Sequence, residues 1–418
     1  MDSRQAARTE VERARALVER ARALQLTRPP ADFLDDPYPY YAALREHDPV
    51  HELEGGGVFL SRYDDAIAVY RDPQRASSDK KIEFRPKFGD SPLYEHHTTS
   101  LVFNDAPLHT RVRRLIMGAL NQRAIARMEA EVGKLVDALL ERMAQKRATD
   151  FIADFAAQIP VEVIGNLLDV PHAERGPLRG WSLAILSGLE PAPGPEILER
   201  GNRAVADFLE YLRGLVAARR RAPGDPEVDV LTRLIRGEAD GERLSEKELL
   251  HNCIFLLNAG HETTTNLIGN GMWLLLEHPE ELAKLRADAG LVPAAIEEML
   301  RYEGPIQLNN RRLSAPMQLG GKLLPAGTFI TIGIGAVNRD PAHFPDAERF
   351  DAARKPNRHV AFGQGDHACA GMNVARMEGR IAFTRLLARF KRIEFAAAPE
   401  RDRRIRFRGF RRLPVRVG

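Results

Sequence analysis

Cysteine is nearly absent from this chain, with only Cys253 and Cys369 among 418 residues. Two cysteines cannot build a disulfide framework and suit a reducing compartment, so Cys369 is a ligand, a nucleophile or a buried thiol. No sign of charge dominates either. Lys and Arg number 61 against 58 Asp and Glu, a net charge of +3, which excludes a nucleic-acid groove and leaves room only for a local basic patch. Long apolar runs are missing too. The opening "MDSRQAARTEVERARALVERARAL" has neither an apolar signal core nor the roughly 20 apolar residues of a membrane span. No targeting segment is expected, and the expected location is the cytoplasm. No low-complexity linker interrupts the chain, and "PAPGP" at 191–195 and "APGDP" at 222–226 read as loops between helices.

What is present reads as a globular protein, 44% hydrophobic and 28% charged, able to bury one large core or two ordinary ones. Apolar residues at helical spacing predict helices over 112–145, 203–221, 246–277, 279–302 and 373–390. Strand-like runs are fewer: 57–61, 316–324 with a turn at Gly320 and Gly321, 328–333, and a final pair around 403–416. The fold class is therefore mainly α with small β-sheets (α+β). One catalytic domain over 31–418 is expected, with residues 1–30 as a charged helical extension. In that extension "VERARAL" occurs twice, at 11–17 and 18–24. Two heptads are too few for a coiled coil, which leaves a charged helix lying on the domain or a contact with a partner.

Three stretches stand apart from routine packing. "FGQGDHACAGMNVAR" (362–376) sets Cys369 among glycines, ahead of an apolar helical run. A metal-binding thiolate needs its charge stabilised, and a tight loop of backbone N–H groups opening onto a helix N-terminus does that. Gly363 and Gly365 let the backbone turn and approach a flat ligand, and Gly371 frees it just after the sulfur. Zinc is disfavoured, since His367 alone supplies no set of close ligands. A buried inert thiol is the competing reading, and it is the one expected for Cys253 in "HNCIFLL". In "LLNAGHETTTNLIGNG" (256–271), acid, threonines and glycines cluster mid-helix, which predicts a local opening of the helix. Alternatively, Thr263 bonds back to its own helix. In "AIEEMLRYEGP" Glu298 and Arg301 are three apart and share a helix face, as an ordinary surface pair also would.

Together these stretches, in this order, resemble the cytochrome P450 monooxygenases in their soluble bacterial form, over essentially the whole chain from about residue 35. "FGQGDHACAG" is similar to the haem-binding loop, "AGHETT" (259–264) to the oxygen-activating segment of the central helix, and "EEMLR" (297–301) to the ExxR pair. "NRDPAHFPDAERF" (338–350) is similar to the meander before the loop. The resemblance implies a single prism-like domain with haem b between a long central helix and the helix after the cysteine loop. It makes Cys369 the proximal thiolate, which favours O–O cleavage, with Phe362, Gly363, Gly371 and Ala259 against the porphyrin. His109, Arg113, Arg311 and His367 would hold the propionates. Glu262 and Thr263 would relay protons and Gly260 would leave room for dioxygen. Glu298 and Arg301 would be buried, with Arg349 completing their network. Ala370, Asn373, Val374 and Ala347 depart from residues usual at their positions without removing a catalytic group.

The resemblance also implies a substrate pocket that draws on Phe255, Asn258, Ile306, Leu308, Asn309 and Phe407. These mix apolar groups with amides, so a mostly apolar, medium-sized organic substrate with one or two polar handles is expected, oxidised with O2. The chain has no room after its last strand signals for a reductase domain, so electrons are expected from a ferredoxin or flavodoxin served by an NAD(P)H-dependent reductase. Basic Arg111, Arg114 and Arg376 are the candidate docking residues on a monomer. Two alternatives stay open: a peroxide-driven haem-thiolate peroxygenase, and a haem-binding sensor without turnover.

Overall fold

The computed structural model describes residues 3–120, 122–146, 148–226, 229–239 and 242–418. Helices dominate, and the longest, Glu246–Glu277, runs through the middle of the main apolar core. It begins at a reciprocal cap: the Ser245 side chain accepts from the Glu248 N–H, and the Glu248 carboxylate accepts from the Ser245 N–H. Its residues are buried on nearly every side, polar ones such as Asn252, Glu262 and Asn270 included. Against it pack the helices Gln158–Leu167, Gly176–Ser187, Pro195–Arg221, Val292–Tyr302 and Met372–Arg389.

The expected helical runs are present with two interruptions. The run 112–145 divides into Leu108–Ala119 and Gln122–Lys146. The run 279–302 divides where the Asp288 carboxylate accepts from the Gly290 N–H, a local turn that competes with helix. The opening expected mid-way along 246–277 is not there: the helix is continuous, and Thr263 Oγ1 donates to the Ala259 carbonyl at 2.7 Å. Polar residues are tolerated inside it because some bond back within the helix, as Thr263 and Thr265 do, while others reach out of it, as Asn270 does to the carbonyls of Glu303 and Arg408.

A five-stranded sheet flanks the helical mass, in the order Val50–Leu53, Gly57–Leu60, Phe329–Gly333, Leu308–Leu313, Ala76–Ser77. Strands Gly57–Leu60 and Phe329–Gly333 run parallel, although they are far apart in sequence, and the other pairs are antiparallel. The hairpin Glu400–Asp402 with Gly409–Arg412 carries the turn 403–408 toward the central helix. Residues Ser3–Arg22 form a helix on the helix Tyr38–His47. Its Ala21 and the following Leu24 are buried with Tyr40, Tyr41 and Phe59 in one cluster, while Val11 of the repeat is 53% exposed. Among the described residues no helix is long and apolar enough to cross a membrane.

Candidate active site

The cysteine loop is held by its own backbone. The Cys369 N–H donates to the Phe362 carbonyl at 2.8 Å and the Gly363 N–H to Val360 at 2.9 Å. Gly363 and Gly365 take φ values of +66° and +73°, a region that disfavours other residues, and a Cβ at Gly365 would meet the Tyr70 carbonyl at 2.6 Å. Gly371 differs from expectation: its φ of −94° is ordinary. It acts instead through its amide, which bonds the Cys369 sulfur at the start of the helix Met372–Arg389. Burial pushes the Cys369 thiol up, while that N–H, Arg113 and Arg376 pull it down. Cys253, by contrast, is fully buried and pushed up to about 12 by burial alone, the state of an inert core thiol.

The central helix shows one uncovered stripe. Ala259 is exposed and Phe255, Gly260 and Thr263 are half-buried, whereas Leu256 to Asn258, His261 and Glu262 are buried. An exposed alanine in the middle of the most buried helix marks a face that lines an internal cleft, and Ala361, Phe362 and Cys369 are half-buried on the loop that leads into the helix Met372–Arg389, which packs on the central helix. Phe362 also stacks on the Arg376 guanidinium at 4.9 Å.

The residues at the rim of this cleft fit a dianionic, flat, iron-bearing ligand. His109 and His367 stack at 3.9 Å, Nε2 of His109 is buried without a partner, and Arg311, 7% exposed, donates only to Asn309 Oδ1 and the Asn310 carbonyl. The Asp105 carboxylate stands 3.9 Å from His367 Nε2, outside hydrogen-bond reach, and these donors are a costly arrangement unless an anion completes them. Burial, His109, Arg311 and Arg113 hold His367 down at about 3, so in this state it is a neutral hydrogen-bonding group. Among the described residues no group of three His, Cys, Asp or Glu side chains could hold a metal. A single thiolate is the available ligand, which suits haem iron rather than zinc.

Glu262 is buried and ion-paired to Arg404, in the turn 403–408. Burial raises its carboxyl to about 7, with Asp402 and Glu190 adding to the effect and Arg404 opposing it. Arg404 also donates to Glu190 at 3.2 Å. Gly260 does not open the space expected for dioxygen. A Cβ there would meet Ile164 Cδ1 at 2.5 Å, so the glycine admits the helix Gln158–Leu167 against the central helix.

Glu298 and Arg301 are both fully buried and joined by two bonds of 2.7 and 2.8 Å. Arg349 is not the third charge. It is exposed, and only its backbone carbonyl accepts from Arg301, at 3.1 Å. The third charge is Arg354, whose Nε donates to Glu298 at 3.0 Å. Asn357 and the Asp351 N–H complete the carboxylate, each at 3.0 Å. Ala347, the departure in the meander, gives Arg301 a carbonyl at 2.8 Å. Two of the expected docking arginines are engaged elsewhere: Arg111 pairs with Glu248, and Arg376 holds Glu297 through two bonds of 2.8 and 2.7 Å.

Of the expected pocket residues, Phe255, Ile306 and Asn309 are half-buried, and Ile306 bridges to Phe407. Asn258 meets His96 at 3.3 Å with its Oδ1 unpartnered. Leu308 does not line the cleft. It is 1% exposed and packs with Tyr41, Phe59 and Ala336, because alternate residues of the strand Leu308–Leu313 face opposite sides. Sequence reasoning missed Arg354, Arg404, Arg406, Lys87 and Glu190. A basic run "RDRRIRFRGFRR" preceding the last strand is the one available signal for two of them.

The family described as Cytochrome P450 matches residues 189–410, more than half of the chain. Cytochrome P450 107B1 of Saccharopolyspora erythraea is 38% identical over 406 residues, spanning 92% of this chain and 96% of that protein. The 6-deoxyerythronolide B hydroxylase of the same organism is 34% identical over 396 residues, spanning 91% and 96%. A solved structure of the myxobacterial cytochrome P450 CYP267B1 in complex with myristic acid matches with a TM-score of 0.85 at 36% identity, covering 93% of this chain and 98% of that one.

Proposed function

The chain belongs to the cytochrome P450 family and is a haem-dependent monooxygenase, and on that footing we propose that it oxidises a mostly apolar, medium-sized organic molecule with electrons from separate redox proteins. The observation that carries the reading is the pairing of one loop-held cysteine, Cys369, with an uncovered central-helix stripe at Phe255, Ala259 and Thr263. Cys369 would hold the haem iron, and the haem would supply the activation of dioxygen. The protein's own groups then control position and protons. His109, Arg113, Arg311 and His367 anchor the propionates. The Thr263 hydroxyl proton is held by the Ala259 carbonyl, which leaves the lone pairs of Oγ1 free to accept from water in the cleft. Glu262, at about 7, gives and takes a proton near neutral pH, where a general acid or base works best. Both groups favour monooxygenase over peroxygenase, which has less use for a relay.

The named relatives act on or bind different molecules, a hydroxylase of 6-deoxyerythronolide B and a binder of myristic acid, so the substrate is read from this chain's pocket. For the electron donor, exposed Arg71 and Arg358 take the place of Arg111 and Arg376. They line a cleft of about 460 Å³ that reaches Gly363 and Gln364 of the cysteine loop, and an acidic ferredoxin would be steered there by charge. The test is turnover with isotope-labelled dioxygen, ferredoxin, reductase and NAD(P)H. One labelled oxygen per product is expected, with Thr263→Ala losing product per NAD(P)H consumed by about tenfold or more through release of hydrogen peroxide. Product formed only when peroxide is supplied, or tight coupling in Thr263→Ala, would contradict the reading.

A further inference from the structure

Three segments meet beside the cleft: the helix Lys81–Phe88, residues 189–190 after the helix Gly176–Ser187, and the turn 403–408. Lys87 Nζ donates to the Glu190 carbonyl at 2.5 Å. Arg406 donates to the Leu189 carbonyl at 2.9 Å, the Leu308 carbonyl at 3.1 Å and Asn310 Oδ1 at 2.6 Å. Every one of these acceptors is uncharged.

The nearby carboxylates are already committed. Glu83 takes Lys80 at 2.7 Å. Glu190 takes the Arg404 guanidinium and the N–H groups of Ile405 and Arg406. Glu262 takes Arg404. Two cations, Lys87 and Arg406, are thus left half-buried without a bonded acid among the described residues. His97 lies next to them, 2% exposed, with Nε2 unpartnered and its ring 5.4 Å from Phe88. A folded protein neutralises buried charges through partners, so cations gathered without them point to an anion that arrives from outside.

The rest of the cleft says what that anion is attached to. Phe84, Phe88 and Phe103 form an aromatic cluster around His97. Arg406 adjoins Phe407, which pairs with Ile306, and Arg404, two residues before it, reaches Glu262 beside Thr263. From this placement, and resting on the haem-thiolate reading above, we propose that the substrate is an organic acid. Its carboxylate is seated between Lys87 and Arg406, and its apolar body runs along Phe88, Phe103, Ile306 and Phe255 toward Thr263.

Burial and the neighbouring Arg406 lower Lys87 to about 7, against the pull of Glu83 and Glu190. The groups that face it are Arg406, Glu83, Glu190 and His97. Lys87 is charged below pH 7 and neutral above it, so acid binding weakens as the pH rises through that value.

The test uses haem-loaded protein and straight-chain acids from octanoic to hexadecanoic, each paired with its methyl ester. Binding is measured by calorimetry and by the haem spin-state change. The acid is expected to bind about tenfold tighter than its ester for at least one chain length, with Lys87→Gln removing most of that preference and affecting the ester less. Arg406→Gln should do the same, and because Arg406 also braces three acceptors, Lys87→Gln carries the test if the other variant does not fold. No chain length preferring the acid, or an undiminished preference in Lys87→Gln, overturns the proposal. The carbon monoxide spectrum of the same samples separates this failure from a failure of the haem-thiolate reading.

Discussion

The charged groups behind the cysteine loop and those on the substrate side of the cleft are built on opposite terms. Around Glu298 the accounts close: the carboxylate accepts from Arg301, Arg354, Asn357 and the Asp351 N–H. The remaining Arg301 donors reach the carbonyls of Asn338, Ala347 and Arg349. On the substrate side Lys87 and Arg406 lack acids. Among the described residues, His96 Nδ1, His97 Nε2 and Asn258 Oδ1 also lack partners. A fully satisfied buried network fixes one arrangement of the backbone that carries it, and an unsatisfied one is unstable alone and is completed by something bound. Pairing of charge, rather than of every polar atom, separates scaffold from recognition surface, since Asn338 Nδ2 and Asn357 Oδ1 beside Glu298 are themselves buried without partners.

Breaking the closed side should do the most damage. Glu298→Ala leaves Arg301 and Arg354 without their acid, and a loss of about 3–5 kcal/mol is expected, read as failure to retain haem or to fold. Wild-type stability would return the pair to the class of surface salt bridges. Next comes the distinction between the two meander arginines. Arg354→Ala should cost about 1–3 kcal/mol because a buried carboxylate loses a charged donor. Arg349→Ala should stay within about 0.5 kcal/mol, since only its backbone takes part. Equal effects in chemical denaturation would erase the assignment.

The open side should respond to pH instead. Burial, Lys87, His251 and Arg406 hold His97 at about 3, below its ordinary value, so its neutral form belongs to the folded state. Its contribution is complete above about pH 6.5 and lost as pH falls, by up to about 1.4 kcal/mol per pH unit. His97→Phe should flatten that part of the acid limb, and an unchanged limb would show that the ring is not buried neutral. The smallest effect is kinetic. Arg71→Glu or Arg358→Glu should slow reduction by ferredoxin a few-fold at low salt and little at high salt, and a rate indifferent to both would remove this face from electron delivery.

How much of this was legible in the sequence follows the same division. The bounds of the central helix, 246–277, were readable because apolar periodicity is local, whereas the opening expected within it is absent. Glu298 and Arg301 were readable as a pair because a spacing of three sets them on one helix face, and Cys369 stood out through the glycines around it. Arg349 was taken for Arg354 because the meander has no periodicity to say which of two nearby arginines turns inward. Leu308 was misplaced because the strand Leu308–Leu313 was not recognised, so the alternation of its side chains went unread. Arg404 and Arg406 sit in a run of arginines where composition cannot tell buried from solvated. Lys87 meets the backbone of residue 190 only through tertiary folding. Gly260 was read for its chemistry, while its actual neighbour, Ile164, lies on another helix.

The claim on which the rest depends is that Cys369 alone presents sulfur to haem iron. Reduced protein under carbon monoxide should show the strongly red-shifted Soret band of a thiolate opposite the ligand. Cys253→Ser, which changes only a core thiol, should keep that band, and Cys369→Ser should lose it. A band that survives in Cys369→Ser, or disappears in a folded, haem-loaded Cys253→Ser protein, would contradict the account.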